Sequence, residues 1–316
     1  MSNENTVVAL SQEVDVQEVT GVPSLSSSGM LVEFTLSVWE GRKKDKRASK
    51  QVSSAHGADA GVADVHKHLL GHCTQLEELK RCRNAARTSH RLLTLPWSDM
   101  GGRLIATEAY LDYVTVMDEH RQQFEQLVRE FLDVYDWEVI QAETRLGDMF
   151  NPMEYESRAS LEHKFAFNLH YSPLPDAGDF RVDVQNEALE VLKTGYQDMY
   201  EMKIKQAMQD ILFGQDRLED TLTTLHRQLD WTEGEKRKKI YETVFSRVLE
   251  TLDLMKTYNL TGNAEMEAVR VKLENEFRGA GRMPLSPEAL KEDARMRSST
   301  KGVLEDVLNT LPTIDL

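Results

Sequence analysis

The chain has 316 residues, 40% hydrophobic and 29% charged, with 53 acidic against 38 basic side chains and a formal net charge of −15. That is apolar enough to bury one substantial core or two modest ones, so the chain as a whole is no disordered tail. The acidic balance excludes general duplex-DNA binding, which needs a cationic face, and no apolar run of about 18 residues is present to span a membrane.

Residues 1–28 read as a flexible N-terminal arm, polar and acidic where a secretory signal is basic then apolar, and ending in Pro23-Ser24-Leu25-Ser26-Ser27-Ser28. Met30, Val32, Phe34, Leu36 and Val38 then alternate with Leu31, Glu33, Thr35 and Ser37, the period of a half-buried strand. Gly41 to Lys50 reads as a solvated loop. Val62 to Arg91 reads as one or two helices with Val65, Leu69, Leu76 and Leu79 on the apolar face. Leu92 to Trp97 is an extended run ended by Pro96, suited to pair with the strand near Phe34. Together residues 29–107 form a small α+β base segment.

From Glu108 to Leu146 the pattern is helical. Tyr110, Met117, Phe124 and Phe131 stand seven apart, and Val114, Val128 and Tyr135 complete an a/d seam that Arg121 interrupts. Gly147, Asn151 and Pro152 break the helix, and Ser160 to His163 fits a single turn. Phe165, Phe167, Leu169 and Tyr171 alternate as a strand, as do Phe180, Val182 and Val184, with a proline-rich turn between them. A second helix runs from Asn186 to Leu229, with Ile204, Ile211, Leu218 and Leu225 seven apart and Met208, Leu222 and Leu229 at d. The expected fold is mainly α: a long antiparallel coiled-coil hairpin over 108–231, with a short β element at its tip (163–184), on the α+β base. C-terminal helices follow over 232–316, including a capping-box start at Thr232 and a Ser286-Pro287 helix start.

Three groups are candidate sites. The tip offers Pro173, Leu174, Pro175, Asp176, Asp179, Phe180 and Arg181 as a protein contact. Its carboxylates match no calcium loop and read as turn capping. Arg42, Lys43 and Lys44 head a run of six basic residues in ten, with Lys46, Arg47 and Lys50, the pattern of an anion-binding patch or of a solvated face. His66, His68, His72 and Cys73 fall close together, and a helix would set His68 and His72 on one face as zinc sites do. Gly71 between them, and the lack of a Cys-x-x-Cys or His-Glu-x-x-His pattern, favour a polar face without metal. No nucleophile motif and no phosphate loop occur, so neither a catalytic residue nor a cofactor is expected. Two cysteines, Cys73 and Cys82, make no disulfide framework and suit a cytoplasmic setting.

Leu36 to Lys44, Asn151 to Tyr155, Phe165-Ala166-Phe167, Pro173 to Val182 and the turn Tyr258 to Asn263 together resemble a helical family of tailed phages and prophages that has no assigned activity. The resemblance covers residues 30 to 280. It implies a setting: such genes often neighbour those of a MoxR-like AAA+ ATPase and a von Willebrand A-type protein, so the chain would be a partner or adaptor of the motor. The first functional expectation is therefore a non-enzymatic binding protein, free of membrane and nucleic acid and compatible with self-association. The alternatives are an acidic decoy or inhibitor of a host factor, and a metal-dependent enzyme using the histidine cluster. Acids and bases alternate along the long helices, which favours ordinary solvation over a decoy's ranked acids.

Overall fold

The structure is a computed structural model and describes residues 29–98, 101–174, 186–231, 238–279 and 283–314. The arm at 1–28, the tip residues 175–185 and the expected capping box at Thr232 lie outside these. Among the described residues the protein is mainly helical, with a four-stranded antiparallel sheet and a two-stranded ribbon.

The sheet is built around β1 (Gly29–Ser37), the strand with the clearest alternation. On one side β1 pairs antiparallel with β5 (Arg103–Ala106), which pairs with the short β4 (Leu95–Pro96). On the other side it pairs over its length with β6 (Ala166–Pro173), from Met30 opposite Pro173 to Ser37 opposite Ala166. The order is β4-β5-β1-β6. The two faces bury against different partners. Met30, Val32 and Phe34 join Ile105, Phe167 and Leu169 under the first long helix. Leu31, Leu95 and Leu104 point the other way into a core made by the C-terminal helices. A period of two thus lets one strand seal two cores.

Between β1 and β4 the chain makes a two-stranded ribbon, β2 (Arg42–Lys44) with β3 (His66–His68), around α1 (Lys46–Ala55), then α2 (Thr74–Leu93). The basic run expected as a loop is thus a strand and a helix start. Asp45 caps α1, accepting from the Ala48 amide at 2.8 Å. The stretch before α2, expected to be helical, forms β3 instead.

Helix α3 (Tyr110–Leu146) has 37 residues, roughly 55 Å at 1.5 Å per residue. Its seam is real: Met117, Phe124, Phe131 and Tyr135 are buried. Burying each such side chain contributes about 2 kcal/mol, whereas the surface pair Asp118–Arg121 contributes at most about 1 kcal/mol, so the seam sets which face turns inward. Its partner differs from expectation. The seam packs on α2 and on the aromatic face of the sheet, where Phe124 meets Phe167 at 5.9 Å and Phe131 meets Phe165 at 5.7 Å between ring centroids.

The short α4 (Arg158–Glu162) leads into β6, and α5 (Asn186–Phe213) follows. The helix expected to run unbroken to Leu229 stops at Gly214 and restarts as α6 (Leu218–Leu229). At the corner Asp216 takes φ +57°, and a Cβ on Gly214 would meet the Asp210 carbonyl oxygen at 2.4 Å. Helices α5 and α6 pack with α7 (Glu242–Tyr258), α8 (Ala264–Glu274), α9 (Pro287–Glu292) and α10 (Ala294–Asn309) in the second core. The α9 start is as expected, Ser286 accepting from the Ala289 amide with Pro287 following.

Two expectations are therefore corrected. Helices α3 and α5 are not seen as a coiled-coil hairpin among the described residues; their buried faces belong to separate cores. The strand 166–173 is not a tip, because its backbone hydrogen bonds go to β1, in the middle of the sheet.

Candidate binding cleft

The junction of the two cores holds a connected group of buried polar side chains, His90, Thr94 and Arg217 among them. Helix α2 ends there, and its last carbonyls have no partners within the helix. Side chains from three other elements reach them. Arg217, 1% exposed, donates to the carbonyls of Leu92 at 2.8 Å, Arg91 at 2.9 Å and Thr94 at 2.9 Å. Arg103 on β5 donates to the Thr94 carbonyl at 2.8 Å, the Arg91 carbonyl at 3.1 Å and the Thr94 hydroxyl at 2.6 Å. The Tyr258 hydroxyl of α7 donates to the Leu93 carbonyl at 2.9 Å. Two cations at a helix C-terminus also complement its dipole. Burial, with Arg217 and Arg91 nearby and Asp210 opposing, lowers Arg103 to about 10, so it stays charged at neutral pH.

One turn earlier, His90 is 8% exposed and shares a 2.8 Å hydrogen bond with the Tyr113 hydroxyl of α3. Burial pulls His90 down to about 4, with Arg103 adding to the fall, so the imidazole is neutral. Burial likewise pushes the Tyr113 hydroxyl well above its ordinary value.

This locked junction forms the wall of a cleft of about 240 Å³ between the end of α2, the first turns of α3, the α5–α6 corner and α7. Leu92, Leu93, Ala109, Tyr113, Leu254 and Tyr258 make it mainly apolar. Its rim carries Asp112, Asp216, Arg247, Glu250 and Asp253. Asp216 is engaged by Arg91 at 2.7 Å and Arg247 at 3.4 Å, and Asp253 by Arg278 at 2.6 Å. Asp112 and Glu250 have no ion pair among the described residues. Desolvation raises the Glu250 carboxyl above its ordinary value, with Arg247 opposing and Asp253 adding to the rise. An apolar floor under two free carboxylates suits a side chain with an aliphatic stem and a cationic end.

The sequence-derived candidates fall elsewhere. Of the tip, Pro173 ends β6 and Leu174 is 4% exposed, turned into the second core, so Leu174 is no contact for a partner. Pro175, Asp176, Asp179, Phe180 and Arg181 lie outside the described residues. Arg42, Lys43 and Lys44 are exposed on β2, and Lys44 pairs with Asp64 at 2.5 Å. His66 and His68 stand on β3, not on a helix, so the geometry that would have set His68 with His72 is lost. Among the described residues no group of histidine, cysteine and carboxylate side chains is placed to hold a metal ion, and no helix is long and apolar enough to cross a membrane. The cleft residues gave little signal in sequence, because Arg217 and Tyr258 come from segments more than a hundred residues beyond α2. A second apolar surface, Trp137 and Ile140 on α3 at 56% and 65% exposed, lies off the seam positions that marked the helix.

Comparison with known proteins finds no match: no family model, no curated protein and no solved structure.

Proposed function

We propose that the protein is a non-enzymatic binding or adaptor protein, and that the α2–α3–α7 cleft is the socket for a basic, aliphatic side chain of a protein partner. One observation carries this reading. The buried ionisable groups behind the cleft are consumed in holding its walls, while Asp112 and Glu250 at its mouth have no ion pair among the described residues. A rigid apolar socket with free carboxylates at the rim favours recognition over proton transfer. The exposed Trp137 and Ile140 supply further apolar surface of the kind that protein interfaces use.

The resemblance to phage and prophage proteins narrows the partner to an AAA+ ATPase or its von Willebrand A-type companion. The test is capture of the tagged chain's partners from its native host, with ATP and with a non-hydrolysable analogue, read by mass spectrometry. Nucleotide-dependent recovery of an AAA+ ATPase by the wild type, lost when Thr257→Trp fills the cleft, is the expected result. Recovery of a host nuclease or polymerase instead would favour the inhibitor reading. An empty capture would remove the adaptor reading.

A further inference from the structure

A second cleft of about 470 Å³ opens between the β2–α1 junction and the turn at 148–154. Lys43, Lys46 and Arg47 line it, all three exposed and without an ion pair among the described residues. The cleft is held in shape from below by Lys67, only 7% exposed, whose ammonium donates to the Met149 carbonyl at 2.5 Å and pairs with Glu154 at 2.7 Å. Of the acids beside it, Glu154 is thus neutralised, and Asp45 is committed to the Ala48 amide, a bond that holds its carboxyl below the ordinary range. Asp45, still ionised and 3.8 Å from Lys67, and Asp148 are the acids left beside Lys43, Lys46 and Arg47, with Lys44 paired to Asp64, so the lining keeps an excess of positive charge. In a chain of net charge −15 this is a local reversal of sign.

We propose that this cleft binds a compact, multiply charged phosphate-bearing small molecule. Three cations converging from a strand end and a helix start match several phosphate oxygens better than one carboxylate. Met149 and Phe150 on the cleft wall offer an apolar face beside the cations for a nucleoside or other body. Arg42, by contrast, does not line the cleft; it stands opposite His68 in the β2–β3 ribbon. The basic stretch is thereby divided into residues that face the ligand and residues that do not.

The test is calorimetric titration of the full chain with inorganic tripolyphosphate, ATP and AMP at low ionic strength. The expected result is saturable one-site binding of tripolyphosphate and ATP, weakened at least tenfold by Lys43→Glu with Arg47→Glu. The double variant Arg81→Glu with Arg129→Glu changes net charge equally, at exposed positions outside the cleft lining, and should leave binding unchanged. Equal affinity for ATP and tripolyphosphate would show that the phosphates alone are read, and tighter ATP binding that the nucleoside packs on Met149 and Phe150; both support the site. No saturable binding at millimolar ligand would overturn it, as would equal weakening in both double variants. A single-stranded oligonucleotide binding far more tightly than tripolyphosphate would also overturn it, since that marks a strand-tracking surface.

Discussion

The guanidinium of Arg217 lies 2.8 Å from the Leu92 carbonyl oxygen, so the residue that starts α6 closes the open end of α2, 125 positions earlier. The carbonyls of Arg91 and Thr94 keep a bond from Arg103 if Arg217 is lost, but Leu92 does not. Replacing Arg217 with Met should therefore leave one buried carbonyl unsatisfied and an incompletely filled site, costing about 2–4 kcal/mol. Urea unfolding measures it. A loss below about 1 kcal/mol would mean that the junction does not hold the two cores together.

The neutral His90 makes stability depend on pH in a defined window. Its folded value of about 4 is below the ordinary 6.5. Between these values the unfolded chain binds the proton and the folded chain does not, so stability is full above 6.5 and falls as pH falls toward 4. The contribution lost is on the order of 3 kcal/mol, from about 1.4 kcal/mol per unit. His90→Gln should flatten this part of the profile, read as the difference from wild type so that other groups cancel. Parallel profiles would show that His90 is not buried against Tyr113 and Phe34.

The corner between α5 and α6 has no room for a side chain at Gly214. A Cβ there would press on a backbone oxygen of Asp210, which no rotamer change relieves. Gly214→Ala should cost about 1–3 kcal/mol, where an exposed helical glycine would gain stability from the same change. A stabilised variant in thermal melts would contradict the broken helix and restore a continuous one.

Cys73 and Cys82 are 2% and 5% exposed, and burial raises both thiols above the usual range. Both should resist a thiol reagent in the folded protein and react together on unfolding. A fast-reacting thiol in the native state would place the α2–α3 core wrongly.

Much of the local structure was legible because it follows from short periods. The alternation through Phe34 marked β1, and the seam through Met117, Phe124 and Phe131 marked α3 to within two residues of its start. Pairings between distant segments were not. Phe165 to Tyr171 read as one arm of a local hairpin, because a strand's pattern says which residues face inward and nothing about whose hydrogen bonds complete it. Its partner begins at Met30. The seam of α3 read as half of a coiled coil for the same reason: an aromatic sheet face offers it the same apolar surface as a second helix. The strand Arg103–Ala106 is too short to show a period and gave no signal. The candidate cleft was hidden more deeply, since Leu92, Asp112, Glu250 and Tyr258 become neighbours only after both cores have formed.

The most direct test replaces Glu250, at the mouth of the cleft, with a photo-crosslinking amino acid in the native host, beside a control at the exposed Glu33 of β1. A discrete adduct with one protein partner is expected from position 250 and none from position 33. No adduct at 250, or the same adducts from both positions, would contradict the assignment of the cleft as the partner's socket.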